Sequence, residues 1–371
     1  MKIKRSSKCS LKFTTESKKL KLQRVLEEYG TVVNHFIDLF WEMEQTPKKG
    51  KLLKPIVDSP ENTWLSARLR KVAAREAIDM VLSAKNKTDA RARTFKPHHY
   101  GKSMSVSSTI ANLMLAKKAK TFDCWLHLAS MGEKIILDLP IKLHDHFHKW
   151  NSTGRRLNSY IIHLDYVQFC FEVETGRKKT QGTNVGLDSG INSLATLDDG
   201  TKLGEDIKGL VEQVKQKKHG SKGQKRARRA LRQRMDEVAK ELFATFDMKT
   251  LVVEDLKKMN YKTKVRRRLT KNIRRSLGIW TYRYWLQRLQ RASEDNRVSF
   301  RRVSPWYTSQ TCNRCDHTER ANRVHGDFLC QSCGHSDDAD VNAAKNILSR
   351  WARGPYGAAY KPSGRNLVPS G

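Results

Sequence analysis

Acidic residues are scarce in this 371-residue chain, with 38 Asp and Glu against 72 Lys and Arg, for a formal net charge of +34. That imbalance excludes a surface indifferent to charge. It attracts polyanions, of which nucleic acid is the usual one. Long apolar runs are also lacking. No stretch approaches the ~20 residues of a membrane-spanning helix. The opening MKIKRSSKCSLKF is basic but has no apolar h-region, so no secretory signal is expected. A cytoplasmic, nucleoid-associated protein is expected, with no membrane partner. Cysteines number 7, an odd count, and four of them fall in one tract. A disulfide framework is therefore not expected, and the usage fits a reducing compartment where thiols are kept for metal. The scattered Cys9, Cys124 and Cys170 read as ordinary buried small side chains.

What is present changes character along the chain. Residues 1–16 read as a strand. From Lys18 to Met43 apolar residues recur at helical spacing, and a second helix is expected from about Trp64 to Ser83. A Pro/Gly/Lys-rich connection joins them. Between Ser103 and Thr180 the period becomes strand-like in SMSVSST, FDCWLHLA, EKIILDLPI and YIIHLDYVQFCFEV. A small barrel or sandwich follows, with the helices inserted after its first strand. Beyond residue 181 strands and helices alternate. Asn184–Asp188 and Ser193–Leu197 suggest a hairpin, Leu251-Val252-Val253 a short buried strand, and Ile279–Arg291 an aromatic-rich helix.

The tract TSQTCNRCDHTERANRVHGDFLCQSCGHSDDADVNAAKNIL carries two Cys-x-x-Cys pairs, Cys312/Cys315 and Cys330/Cys333. Four thiolates close a tetrahedral site and leave no open position, so a structural Zn2+ is expected. Three carboxylates stand at element ends: Asp188 after VGL, Glu254 after LVV, and Asp340 at the start of DVNAAKNIL. Converging acids repel one another unless cations bridge them. Two Mg2+ ions about 3.5–4 Å apart would do so and would activate a water against a phosphodiester. Asp255, Asp337 and Asp338 are close competitors that spacing alone does not exclude.

Basic tracts flank these acids. Lys225, Arg226, Arg228 and Arg229 lie in one, and Arg266, Arg267, Arg268, Arg274 and Arg275 in the next. Such runs are often solvated faces, but nothing acidic balances them, which points to phosphate tracking. Trp280, Tyr282, Tyr284, Trp285, Trp306 and Tyr307 are interleaved as stacking candidates, although helical spacing also suits a core. His144, His146 and His148 form HDHFH, which lacks a closing partner for metal at usable spacing and reads as a phosphate or RNA contact from a β-domain loop.

The segments NVGLDSGINSLATLDDG, LVVEDL and SPWYTSQTCNRC…FLCQSCGHSDDADVNAAKNIL resemble the three RuvC motifs and the zinc ribbon of the transposon-encoded TnpB nucleases. The resemblance covers roughly residues 181–350. It implies an α+β multidomain fold: a β-barrel wedge domain with an inserted helical recognition domain, then an RNase H-like (RuvC) α/β nuclease domain with a zinc ribbon insertion. The implied ranges are 1–16 and 103–180 for the wedge, 17–102 for recognition and 181–307 for the nuclease domain. The ribbon takes 308–336, the third-motif helix 337–352, and a disordered tail 353–371. The resemblance assigns Asp188, Glu254 and Asp340 as the catalytic Mg2+-binding acids, choosing Asp340 because it directly precedes VNAAKNI. It implies RNA-guided cleavage of double-stranded DNA beside a short adjacent motif, with the guide RNA drawn from the transposon end. Miniature type V CRISPR effectors share these motifs, and some relatives without the acids act as guided repressors. Asp316 stands where the family often has Gly, so a slightly different turn is expected there.

Overall fold

The computed structural model describes residues 2–86, 95–116, 119–255 and 282–353. The chain divides into two units, Met1–Glu174 and Thr175–Gly371.

The first unit begins with β1 (Lys2–Ser10), whose inward Ile3, Ser7 and Cys9 alternate with outward lysines and serines. Helices α1 (Glu16–Glu42), α2 (Lys54–Asp58) and α3 (Ala67–Lys85) follow. In α1, Leu22, Val25, Leu26, Tyr29, Val33, Phe36, Ile37 and Phe40 are buried, as a 3.6-residue period requires. The α3 helix starts later than its apolar pattern suggests. Ser66 caps it by accepting the Leu69 N–H, and Leu65 instead forms a bridge with Gly132.

Strands β2 (Ser103–Ser107), β3 (Ala111–Leu115), β4 (Cys124–Leu128) and β5 (Leu137–Ile141) come next. Helix α4 (Asp145–Thr153) then leads into β6 (Gly154–His163) and β7 (Tyr166–Glu174). The long YIIHLDYVQFCFEV run is thus two antiparallel strands. The sheet order is β1-β7-β6-β2, with a separate sheet β3-β4-β5. The expected closed barrel does not form among the described residues. Between β2 and β3 the chain changes sheets. The Ser108 N–H donates to Asn158 C=O on one side, and the Ala129 N–H donates to Ile110 C=O on the other. Such a corner makes two packed sheets with one core. Cys9 and Cys124 are buried in that core, and burial pushes their thiols up to about 12 and about 11.

The second unit centres on five strands: β8 (Thr183–Asp188), β9 (Ala195–Leu197), β10 (Lys202–Leu203), β11 (Met248–Glu254) and β12 (Ser299–Val303). Their order is β10-β9-β8-β11-β12, with β11 parallel to both β8 and β12. Helices α5 (Ile207–Gln216), α6 (Lys222–Thr245) and α7 (Tyr282–Asp295) share a core with Val185, Leu187, Leu251 and Val253. Three short strands, β13 (Arg323–Val324), β14 (Asp327–Leu329) and β15 (Ser336–Asp338), form a ribbon before the final helix α8 (Ala339–Ala352). Ile347 of α8 packs on Val252 and Val303. Strand alternation therefore turns Val185, Leu187, Leu251 and Val253 toward α5–α7, and Gly186 and Val252 toward α8. Among the described residues no helix is long and apolar enough to cross a membrane.

Candidate functional site

The same alternation fixes the acids. Asp188 lies two residues beyond Gly186 and Glu254 two beyond Val252, so both side chains emerge on the face that α8 covers. The strands are neighbours in register, with Val253 opposite Leu187, so the two carboxylates end adjacent strands side by side. Gly186 lets α8 come close: a Cβ there would lie 2.3 Å from Ala344 O and 2.8 Å from Leu348 Cβ. Four residues back along α8 is about 6 Å, and two residues along β8 is about 6.6 Å. Asp340, in the first turn of α8, thereby comes near enough for its charge to bear on Asp188.

The electrostatics follow. Burial pushes the Asp188 carboxyl well above the usual carboxylate range, and the Glu254 and Asp340 charges push it further. Burial also raises Glu254, to about 7, against the Thr308 hydroxyl and the Arg350 and Arg323 guanidiniums. Thr308 Oγ1 donates to Glu254 Oε1. Arg323 Nη2 donates to Asp340 Oδ1 at 2.8 Å. Three carboxylates of this kind, two of them reluctant to ionise without a cation, are a donor set that suits Mg2+.

The competing acids have other work. Asp338 caps α8, its Oδ1 accepting the Asp340 and Val341 N–H groups, and Oδ2 takes Lys202 Nζ at 2.7 Å. Asp337 pairs with Lys345 at 2.7 Å. Asp255 follows β11, where its N–H donates to Val303 C=O at 2.8 Å.

The four knuckle sulfurs lie within 4.8 Å of one another. Cys312 and Cys333 are 3.8 Å apart and Cys315 and Cys330 3.5 Å. A tetrahedron of sulfurs 2.3 Å from a metal has edges of about 3.8 Å, so the cluster fits one Zn2+. The two knuckles repeat one design. The Asp316 N–H donates to Cys312 C=O and the Gly334 N–H to Cys330 C=O, each at 3.0 Å. Asp316 has φ +59° and Gly334 φ +69°. The altered turn expected at Asp316 is thus not found, because Asp tolerates the left-handed conformation better than most side chains.

Three residues that motif reading passed over join ribbon to helix. Asn342 Nδ2 donates to Thr311 C=O, and its Oδ1 accepts the Asn313 N–H. Asn346 Nδ2 reaches the C=O groups of Thr308 and Thr311. Arg350 Nη1 donates to Ser304 C=O at 2.6 Å and Trp306 C=O at 2.8 Å. All three are buried. Their four-residue spacing was a readable signal for one helix face. Arg323 and Thr308 had no such signal, because each reaches its acid only through tertiary folding.

Lys225, Arg226 and Arg229 are exposed on α6 and Arg228 is half-buried. Arg266, Arg267, Arg268, Arg274 and Arg275 lie outside the described residues, as does Trp280. Trp285 is buried and donates to Ser189 Oγ, and Tyr284 bonds Asp236, so both serve the core. The histidine cluster is not a loop. His144 stands at the N-cap position of α4, where its ring bonds Lys8 C=O rather than capping the helix, while His146 meets Ser7 and Trp150.

Residues 282–347 match the family model for a Cas12f1-like TNB domain. The chain is 36% identical over 74 residues to the CRISPR-associated endodeoxyribonuclease Cas12f1 of Sulfoacidibacillus thermotolerans, covering 20% of this chain and 18% of that protein. It is 33% identical over 193 residues to InsQ of Escherichia coli (strain K12), provisionally named an RNA-guided DNA endonuclease, covering 44% of this chain and 48% of InsQ. It is 30% identical over 80 residues to the TnpB-like protein aq_aa05 of Aquifex aeolicus (strain VF5), covering 21% and 26%. The matches span less than half the length of each of these relatives. A cryo-EM structure of a Cas12f1-sgRNA-target DNA complex aligns over 93% of this chain and 99% of that one, at 14% identity and a TM-score of 0.37. That likeness is too distant to locate any residue. The chain is thus similar to TnpB-like and Cas12f1 proteins.

Proposed function

We propose that this chain is an RNA-guided, Mg2+-dependent DNA endonuclease of the RuvC type. One observation supports the reading: Asp188 and Glu254 end adjacent strands, Asp340 starts the helix packed on them, and the charges of Glu254 and Asp340 both bear on the Asp188 carboxyl. A pair of Mg2+ ions held there would polarise the phosphodiester and lower the pKa of an attacking water. The chain's own part is positional. Thr308 orients the Glu254 carboxylate, and Arg323 balances the charge of Asp340. The thiolates of Cys312, Cys315, Cys330 and Cys333 would hold one structural Zn2+, soft donors keeping it apart from the hard carboxylate site. Guide RNA would carry sequence specificity, while the protein supplies a positive channel and reads a short duplex motif. The net charge of +34 and the exposed Lys225, Arg226 and Arg229 support that role, as do the names of the relatives. On this reading the sheets of the first unit form a wedge domain and α1–α3 a recognition insertion. The guide would come from the end of the encoding transposon.

The test is cleavage of a guide-matched plasmid by protein purified with its RNA. Asp188→Ala is expected to lower cleavage by at least about a thousandfold, since charge stabilisation at a reacting centre commonly carries that much. RNA retention should stay unchanged. Undiminished cleavage by this variant would remove the assignment. All three acids are present and convergent, which weighs against a guided repressor without cleavage.

A further inference from the structure

The segment that leads into the ribbon displays two aromatic rings. Trp306 is 56% exposed and Tyr307 38% exposed. Among the described residues Trp306 is the one exposed tryptophan, the others being buried or half-buried. Their ring centroids lie 6.3 Å apart at 42°, so they do not stack on each other.

The backbone beneath them is held unusually firmly. Arg350 donates to the carbonyls of Ser304 and Trp306. The Tyr307 carbonyl accepts from the Gln310 N–H, the Thr311 N–H and the Thr311 hydroxyl. Asn346 holds the carbonyl of Thr308. Tyr307 itself sits at φ +61°, a region that bulky residues avoid and that persists only where surrounding bonds over-determine it. A loop secured by buried Asn and Arg side chains thus fixes where two partly exposed rings stand.

The next residue is part of the carboxylate site. Thr308 is buried and donates to Glu254. Two residues of chain span at most about 7 Å, and the Thr308 side chain with its hydrogen bond adds about 5 Å, so the Trp306 backbone stands within about two nucleotides' reach of that acid. Arg350 supports the loop and also bears electrostatically on Glu254.

We infer that Trp306 and Tyr307 form a stacking platform for an unpaired base of the DNA strand that enters the carboxylate site. Aromatic faces suit this task because every base has a π-face, which makes the contact tolerant of sequence. The excess of positive charge supplies the matching attraction for the phosphates on either side. The two residues are positioning residues: they hold a nucleotide beside the scissile bond and take no part in bond cleavage. The inference rests on the nuclease reading above.

The experiment measures binding of a labelled single-stranded DNA oligonucleotide to the full, zinc-loaded chain with no Mg2+ added and no chelator present. Salt is set high enough to suppress contacts made by phosphates alone. Trp306→Ala is expected to weaken binding about tenfold, within the range that loss of one stacked base produces. Trp306→Phe, which keeps a ring, should stay within about threefold of the parent. Oligonucleotides with one abasic position provide the second arm. At one position the missing base should weaken binding to the parent by a similar factor and cost nothing further in Trp306→Ala. Unchanged binding by Trp306→Ala overturns the inference, as does an abasic penalty that persists in full in that variant. The latter outcome would leave the rings for a protein partner. Unaltered zinc content and circular dichroism certify that each variant is folded. Because binding is read without Mg2+ and apart from cleavage, a chain that stacks bases yet never cuts DNA when Mg2+ is added would sink the nuclease reading and be told apart from a failure of the platform.

Discussion

At the scale of the residue, the carboxylates carry the account. Glu254 titrates near 4.5 when unfolded and is pushed up to about 7 in the folded, metal-free chain, foremost by burial. The folded state therefore holds more protons than the unfolded state between those values. Stability must fall as pH rises from about 4.5 through about 7, and below that window the penalty is absent. Asp188 is raised as well and adds to the fall in the same direction. Glu254→Gln removes the ionisation at one site. Without added Mg2+ or chelator, the loss of melting temperature between pH 5 and pH 7.5 is expected to be smaller in Glu254→Gln than in the parent, by roughly 3–8 °C. Differential scanning calorimetry at several pH values would measure it. Parallel curves for the two proteins would mean that Glu254 is not held in this strained state.

At the scale of the element, the site depends on how near α8 lies to β8. Gly186 is the residue that allows it, since a Cβ would meet the Ala344 carbonyl and the Leu348 side chain. Gly186→Ala is expected to cost about 1–3 kcal/mol, the usual range for overpacking. It should also move Asp340 away from Asp188, so that added Mg2+ raises the melting temperature less than in the parent. Thermal melts with and without Mg2+ check both effects. This dependence marks the limit of what could be read from residues alone. The strands at Asp188 and Glu254, the helix at Asp340 and the paired Cys-x-x-Cys turns were legible because local period and spacing encode them. The caps were less legible. Asp338 caps α8, and no spacing rule separates it from Asp340 two positions on. The barrel was misjudged because alternation identifies strands but not which edges pair, and the turn at 108–110 sends the chain from one sheet to another. HDHFH was misjudged because the pattern of α4, with Phe147 and Trp150 inward, is too short to stand out. Arg323, Thr308 and the carbonyls served by Asn342, Asn346 and Arg350 belong to tertiary structure. Their partners are distant in sequence, as with Thr308 and Glu254.

At the scale of the molecule, the ribbon and the acids form one device in the second unit. The helix that bears Asp340 also bears the three side chains that secure the root of the knuckles. The ribbon in turn sends Arg323 back to Asp340. A module that spacing alone would rate as a structural staple is thus built into the carboxylate site. The net charge of +34 would bring phosphodiesters to that site, which is where the account makes its central claim. The claim is that Asp188, Glu254 and Asp340 together hold divalent metal. The most direct measurement is anomalous diffraction from crystals of the full chain soaked in Mn2+, a stand-in for Mg2+ that scatters at an accessible edge. The account predicts a strong peak ligated by all three carboxylates, with Arg323 drawn off Asp340, and its loss in Asp188→Ala. A cleavage-competent chain that shows no peak there, and keeps the Arg323–Asp340 pair intact, would contradict it.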